Sequence, residues 1–191
     1  MKQKRLLQSL FLSGLFFILL GGPGSMVLAE GLAPGSSLPA FTLPPPESPE
    51  VQKYLGLKGM GPFTLSDVSA KLIFVEFMDV FCTHCLANAP VLNRLYKVIQ
   101  DDAALSRDVK MIAVAIGNNK TQIEAFKKST RTPFPVFPDD QLAVAEVVEV
   151  PGTPAMVLLS GDGKVLLSHL GEIKDFDGLL KELREIHKTQ R

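Results

Sequence analysis

Tryptophan is absent from this 191-residue chain, tyrosine and cysteine occur twice each, and histidine three times. Basic and acidic residues number 20 each, so the chain has no formal net charge. Without a basic patch or a ladder of aromatic side chains, nucleic-acid binding has no chemical footing. With so few histidines, a copper or zinc carrier would have to join Cys82 and Cys85 to a distal ligand such as His169. Haem attachment needs a histidine directly after a CxxC, and Leu86 stands at that place. Internal repeats are also lacking.

The first 29 residues are set apart from the rest. Lys2, Lys4 and Arg5 form a positive start, Leu6 to Leu20 is apolar, Pro23 breaks the run, and Val27-Leu28-Ala29 offers a cleavage site before Glu30. This predicts a signal peptide and an exported, periplasmic protein. An uncleaved anchor on the outer side of the cytoplasmic membrane is the alternative, for which the apolar run is short against ~30 Å of hydrocarbon. No cysteine lies near the cleavage point to make a lipoprotein. Removing the leader takes away three bases and no acids, leaving 17 bases against 20 acids, a net of −3. The two cysteines then belong to a compartment where disulfides persist.

What is present centres on residues 71–95, KLIFVEFMDVFCTHCLANAPVLNRL. The apolar run Leu72 to Phe77 carries one acid, Glu76, and leads to Cys82-Thr83-His84-Cys85. Beyond it, Leu92, Leu95, Val98 and Ile99 recur at helical spacing. The cysteines therefore lie where a buried strand turns into the first turn of a helix. Free N–H groups and the positive dipole end there favour a thiolate.

Elsewhere, residues 30–62 read as an extended lead-in rich in Pro, Gly and Ser, with a short edge strand at Phe41 to Leu43 and an unresolved choice between turn and loop over 50–61. A domain over 63–191 follows. It opens with a strand at Phe63 to Leu65 and a turn capped at Ser66-Asp67. Val109 to Ile116 suits a buried parallel strand. Helices are predicted over 120–129, with Ile123 and Phe126 inward, and over 141–148, with Val144, Val147 and Val148 inward. A short strand falls at 134–137. Strands at 155–160 and 164–169 flank a Gly161-Asp162-Gly163 turn, and 175–188 is an amphipathic helix. The order gives an α/β fold, a mixed central sheet flanked by helices.

The strand with its acid, the CxxC at a helix head, Pro90 five residues after Cys85, and Gly152-Thr153-Pro154 before an apolar strand together resemble a thioredoxin-fold protein. Residues 35–172 are similar to the exported thiol:disulfide oxidoreductases of the TlpA-like and redoxin group. The resemblance implies an αβ insertion at about Lys120 to Phe137, between the CxxC helix and a cis-proline at Pro154. It also implies a monomer that exchanges disulfides with protein thiols and is served by a membrane electron donor or acceptor. Apocytochromes are among the implied clients. No cofactor is implied beyond a redox-active Cys82–Cys85 disulfide, and no metal.

Cys82 is the expected nucleophile and Cys85 the resolving thiol. At an ordinary pKa near 8.5, about 3% of Cys82 is thiolate at pH 7; half ionisation needs about 2 kcal/mol. A helix dipole supplies roughly 0.3 to 1, so His84 is expected to donate to the Cys82 sulfur as well. A thiolate stabilised in this way makes the disulfide more oxidising, about 30 mV per 1.4 kcal/mol. CxHC resembles oxidising or isomerising members, whereas the scaffold resembles reducing ones, so an oxidative-folding role is the competing reading. Glu76 is the expected proton relay for Cys85. Thr153 and Pro154 are expected to dock an extended substrate, and Phe81 to shape the face beside the sulfur. A peroxiredoxin is disfavoured because Val75 and Asp79 stand where its Pro and Thr or Ser would be. A purely structural disulfide is disfavoured because CxxC closes too small a loop to stabilise much.

Overall fold

The computed structural model describes residues 32–190; the leader expected over residues 1–29 lies outside them. Five strands form one sheet in the order β3-β2-β1-β4-β5. They are β1 (Leu72–Met78), β2 (Val109–Ile116), β3 (Val136–Asp139), β4 (Ala155–Ser160) and β5 (Val165–Leu170). β1 is central, parallel to β2 and antiparallel to β4, and β3 runs parallel to β2. Every residue of β1 and β4 is buried. That explains their near-continuous apolar sequence, since both faces of the sheet are covered.

One face carries Phe74 and Met78 of β1 beneath α2 (Thr83–Asp101), α4 (Lys120–Thr130) and α6 (Phe176–Thr189). The opposite face packs Ile73, Val75 and Phe77 against α1 (Pro49–Leu55), α5 (Ala143–Val148) and the chain before α1. Leu32, Phe41 and Leu43 of that early segment are buried in this second cluster, so the stretch read as a lead-in completes the core.

Five local expectations are corrected. Residues 49–55 are a helix. Ser48 accepts the Val51 N–H at 3.4 Å, Pro49 occupies the first turn, and Gly56 ends it at φ 66°. Of the two choices left open over 50–61, the helical turn is the one formed, with Gly56 as its C-cap. The strand expected at Phe63 to Leu65 reduces to a bridge with Leu43. Thr64, not Ser66, precedes the turn, its N–H donating to Asp67 Oδ2 at 2.8 Å. Asp102 starts an unanticipated helix, α3 (Ala103–Asp108), by accepting from Ala104 and Leu105. Finally, α5 starts at Ala143 because Asp139 accepts the N–H groups of Val144 and Ala145. That turns Val147 outward, 48% exposed.

Two further ties brace the frame. The Tyr54 hydroxyl accepts the Met111 N–H at 2.8 Å and donates to its carbonyl at 3.4 Å, on the stretch of β2 before its pairing with β3 begins at Ala113. Burial pushes the Tyr54 hydroxyl pKa up. His187 and Asp108, both buried, meet at 2.9 Å and join α6 to the start of β2. Among the described residues, no helix is long and apolar enough to cross a membrane.

Candidate active site

The strands β1, β2 and β3 all end on one side of the sheet, and β4 begins there. Cys82 leaves β1 through a three-residue loop and becomes the N-cap of α2. Its own N–H donates to the Asp79 carbonyl at 3.1 Å. The next free N–H groups, from His84 and Cys85, turn towards its sulfur. The Cys82 thiol donates to the Thr153 carbonyl at 3.4 Å, and the Thr153–Pro154 peptide is cis. The two sulfurs are not bonded to each other in this structure; Cys82 is half-buried and Cys85 buried.

Their environments push the two thiols apart. Partial burial of Cys82 works against ionisation. It is outweighed by hydrogen bonds from the Cys85 thiol and N–H, the Thr153 side chain and the His84 N–H, so the pKa falls. Burial pushes Cys85 up to about 12, and donating to the Cys82 sulfur adds to the rise. Glu76 shares its sheet face with Phe74 and Met78, the face covered by α2 and Cys85. Burial pushes its carboxyl up to about 8, with the negative charge at Cys82 as a second cause. The two thiols are thus shifted in opposite directions, Cys82 down and Cys85 up, beside a buried carboxyl that is itself raised.

Of the remaining expected residues, Phe81 stands beside Cys82 and is 70% exposed. His84 departs from expectation. Its backbone N–H serves Cys82, but its ring is turned away, with Nδ1 2.6 Å from Glu172 Oε1. A short carboxylate contact is a better partner for imidazole than a sulfur. His169, the distal histidine considered for a metal, donates through Nε2 to the Glu172 carbonyl at 3.0 Å. Among the described residues, no three His, Cys, Asp or Glu side chains gather as a metal site requires.

Sequence reasoning missed the residues that hold the loop. Asn118, 3% exposed, accepts the Val80 N–H at 3.0 Å and donates to Asp79 Oδ1 at 3.1 Å. Asp79 Oδ1 also accepts the Phe81 N–H. Asn119 is the N-cap of α4, so a helix start accounts for one of the two adjacent asparagines and says nothing of Asn118. Asn88, 1% exposed in α2, donates to the Gly171 carbonyl and accepts the Ile173 N–H, gripping the loop that bears Glu172.

A family model described as Redoxin matches residues 33–183. The thiol-disulfide oxidoreductase ResA of Bacillus subtilis is 27% identical over 157 residues, covering 80% of this chain and 78% of that protein. Its namesake in Geobacillus thermodenitrificans is 27% identical over 170 residues, covering 86% of each. Among solved structures, a putative thiol:disulfide interchange protein DsbE from Chlorobium tepidum superposes with a TM-score of 0.64 at 22% identity, covering 82% of this chain and 99% of that one. The chain therefore belongs to the Redoxin family, as a thiol-disulfide oxidoreductase of thioredoxin fold.

Proposed function

We propose that the protein is exported and exchanges disulfides with protein substrates through Cys82 and Cys85. The observation that carries this reading is the division of labour in the pair: a half-exposed thiol with a lowered pKa against a buried one at about 12. In the reductive direction, the Cys82 thiolate attacks one sulfur of a client disulfide. An S–S bond forms to Cys82, the client bond breaks, and the departing client thiolate takes a proton from solvent. Cys85 then passes its proton to the Glu76 carboxylate, directly or through one water, and attacks Cys82 Sγ. The Cys82–client S–S bond breaks as the Cys82–Cys85 bond forms; the second client sulfur leaves as a thiolate and takes a proton from Glu76 or solvent, so the client departs with two thiols and two added electrons. A membrane electron donor restores the dithiol, and no other cofactor takes part.

The Thr153 backbone pairs with an extended client segment, and Pro154 shares this docking role; the 3.4 Å between the Thr153 carbonyl and the reacting sulfur supports the reading. Two exposed apolar side chains, Phe81 directly before Cys82 and Leu86 in the first turn of α2, supply contacts for residues flanking the client cysteine. Export is supported by the leader composition of residues 1–29. The test is reduction of insulin disulfides. Cys82→Ser is expected to lose all measurable turnover, and Cys85→Ser to accumulate a mixed disulfide at Cys82. Wild-type turnover surviving in Cys82→Ser would show the nucleophile to be misassigned.

A further inference from the structure

We propose that Glu172 is a positioning residue that holds the His84 ring away from Cys82 and so keeps the cysteine pair more reducing than its CxHC sequence alone dictates. This rests on the reading of Cys82–Cys85 as a redox couple. The ring has a choice of partners. The His84 side chain is 67% exposed and lies between the two cysteines in sequence, yet Nδ1 lies 2.6 Å from Glu172 Oε1, and only its backbone N–H reaches the sulfur.

Glu172 is held in place by its surroundings. Asn88, one turn further along α2 than His84, accepts the Ile173 N–H at 2.9 Å and donates to the Gly171 carbonyl at 3.3 Å. His169 fixes the Glu172 carbonyl from β5. The helix that carries the histidine therefore also grips the residues on either side of its carboxylate partner. Lys174 pairs with the other carboxylate oxygen, Oε2.

The consequence for the couple follows from which state each contact favours. A donor or positive charge at the Cys82 sulfur stabilises the thiolate, hence the dithiol form, and makes the disulfide a stronger oxidant. An imidazole bound to a carboxylate gives no such contact, and its positive charge, when protonated, is neutralised by Glu172.

The experiment is equilibrium titration against glutathione of the wild type, Glu172→Ala, His84→Ala and the double variant, with far-UV circular dichroism confirming the fold. Glu172→Ala is expected to shift the equilibrium about tenfold towards the dithiol, roughly 30 mV less negative. That shift is expected to vanish in the His84→Ala background. An unchanged potential in Glu172→Ala overturns the inference, as does an equal shift with His84 absent, which would mean the carboxylate acts on the sulfur directly. If the wild type shows no reversible couple, the oxidoreductase reading fails first.

Discussion

The Cys82 sulfur and the Thr153 carbonyl oxygen, 71 residues apart in sequence, lie 3.4 Å from each other. The loop before β4 thereby becomes part of the nucleophile's environment. The Thr153 side chain also helps to lower the Cys82 pKa. Replacing Thr153 by Val removes the hydroxyl and keeps the shape. It is expected to slow alkylation of Cys82 by iodoacetamide at pH 6 about threefold to tenfold, with the rate recovering above pH 9. A pH profile identical to the wild type would remove Thr153 from the account.

Glu76 titrates at about 8 in the folded protein, above its ordinary 4.5. A raised carboxyl pKa contributes stability that is complete below about pH 4.5, and this is lost as pH climbs through 8 and the buried group ionises. Glu76→Gln is therefore expected to match the wild type in stability near pH 4. At pH 9 it should exceed the wild type by about 1 to 3 kcal/mol, read from urea unfolding. Its resolving step, followed as decay of the mixed disulfide, is expected to be 10- to 100-fold slower at pH 8. A variant that is less stable at pH 9, or resolves at the wild-type rate, contradicts the buried-relay role.

Asp108 contributes with the opposite sign. A hydrogen bond from Arg107, then one from His187, hold its carboxyl well below the usual range. That stability is present above about pH 4 and is lost as pH falls through the folded value. Arg107 and Lys71 are 70% and 45% exposed, so solvent screens part of the attraction. Asp108→Asn is expected to cost about 1 to 2 kcal/mol at pH 7, and progressively less as pH falls below about 4. A cost that does not change with pH would mean packing, not charge, is what matters at this corner.

The chain showed its chemistry in sequence more openly than its scaffolding. Cys82, Cys85 and Glu76 are read from an apolar run with one acid that leads to a CxxC, because burial and helix position follow from local pattern. The ends of β1, β2 and β4 followed similarly from their apolar runs. Asn118, Asn88 and Glu172 were not legible, since each acts through a partner 38 or more residues away, a separation that local periodicity does not encode. The same holds for His84, whose spacing placed it correctly between the cysteines while a distant carboxylate decided where its ring points. Helix α1 was hidden for a different reason: its cap glycine, Gly56, has two further glycines within five residues, and the group together reads as a loop.

The most direct test of the central claim is a redox titration of the wild-type protein in glutathione and dithiothreitol buffers, with the Cys82–Cys85 state read by intact mass. A reversible two-electron couple confined to this pair, with only Cys82 open to alkylation at pH 7 in the reduced form, is the predicted result. The absence of a reversible couple, or a reduced protein in which Cys85 is alkylated as fast as Cys82, would contradict it.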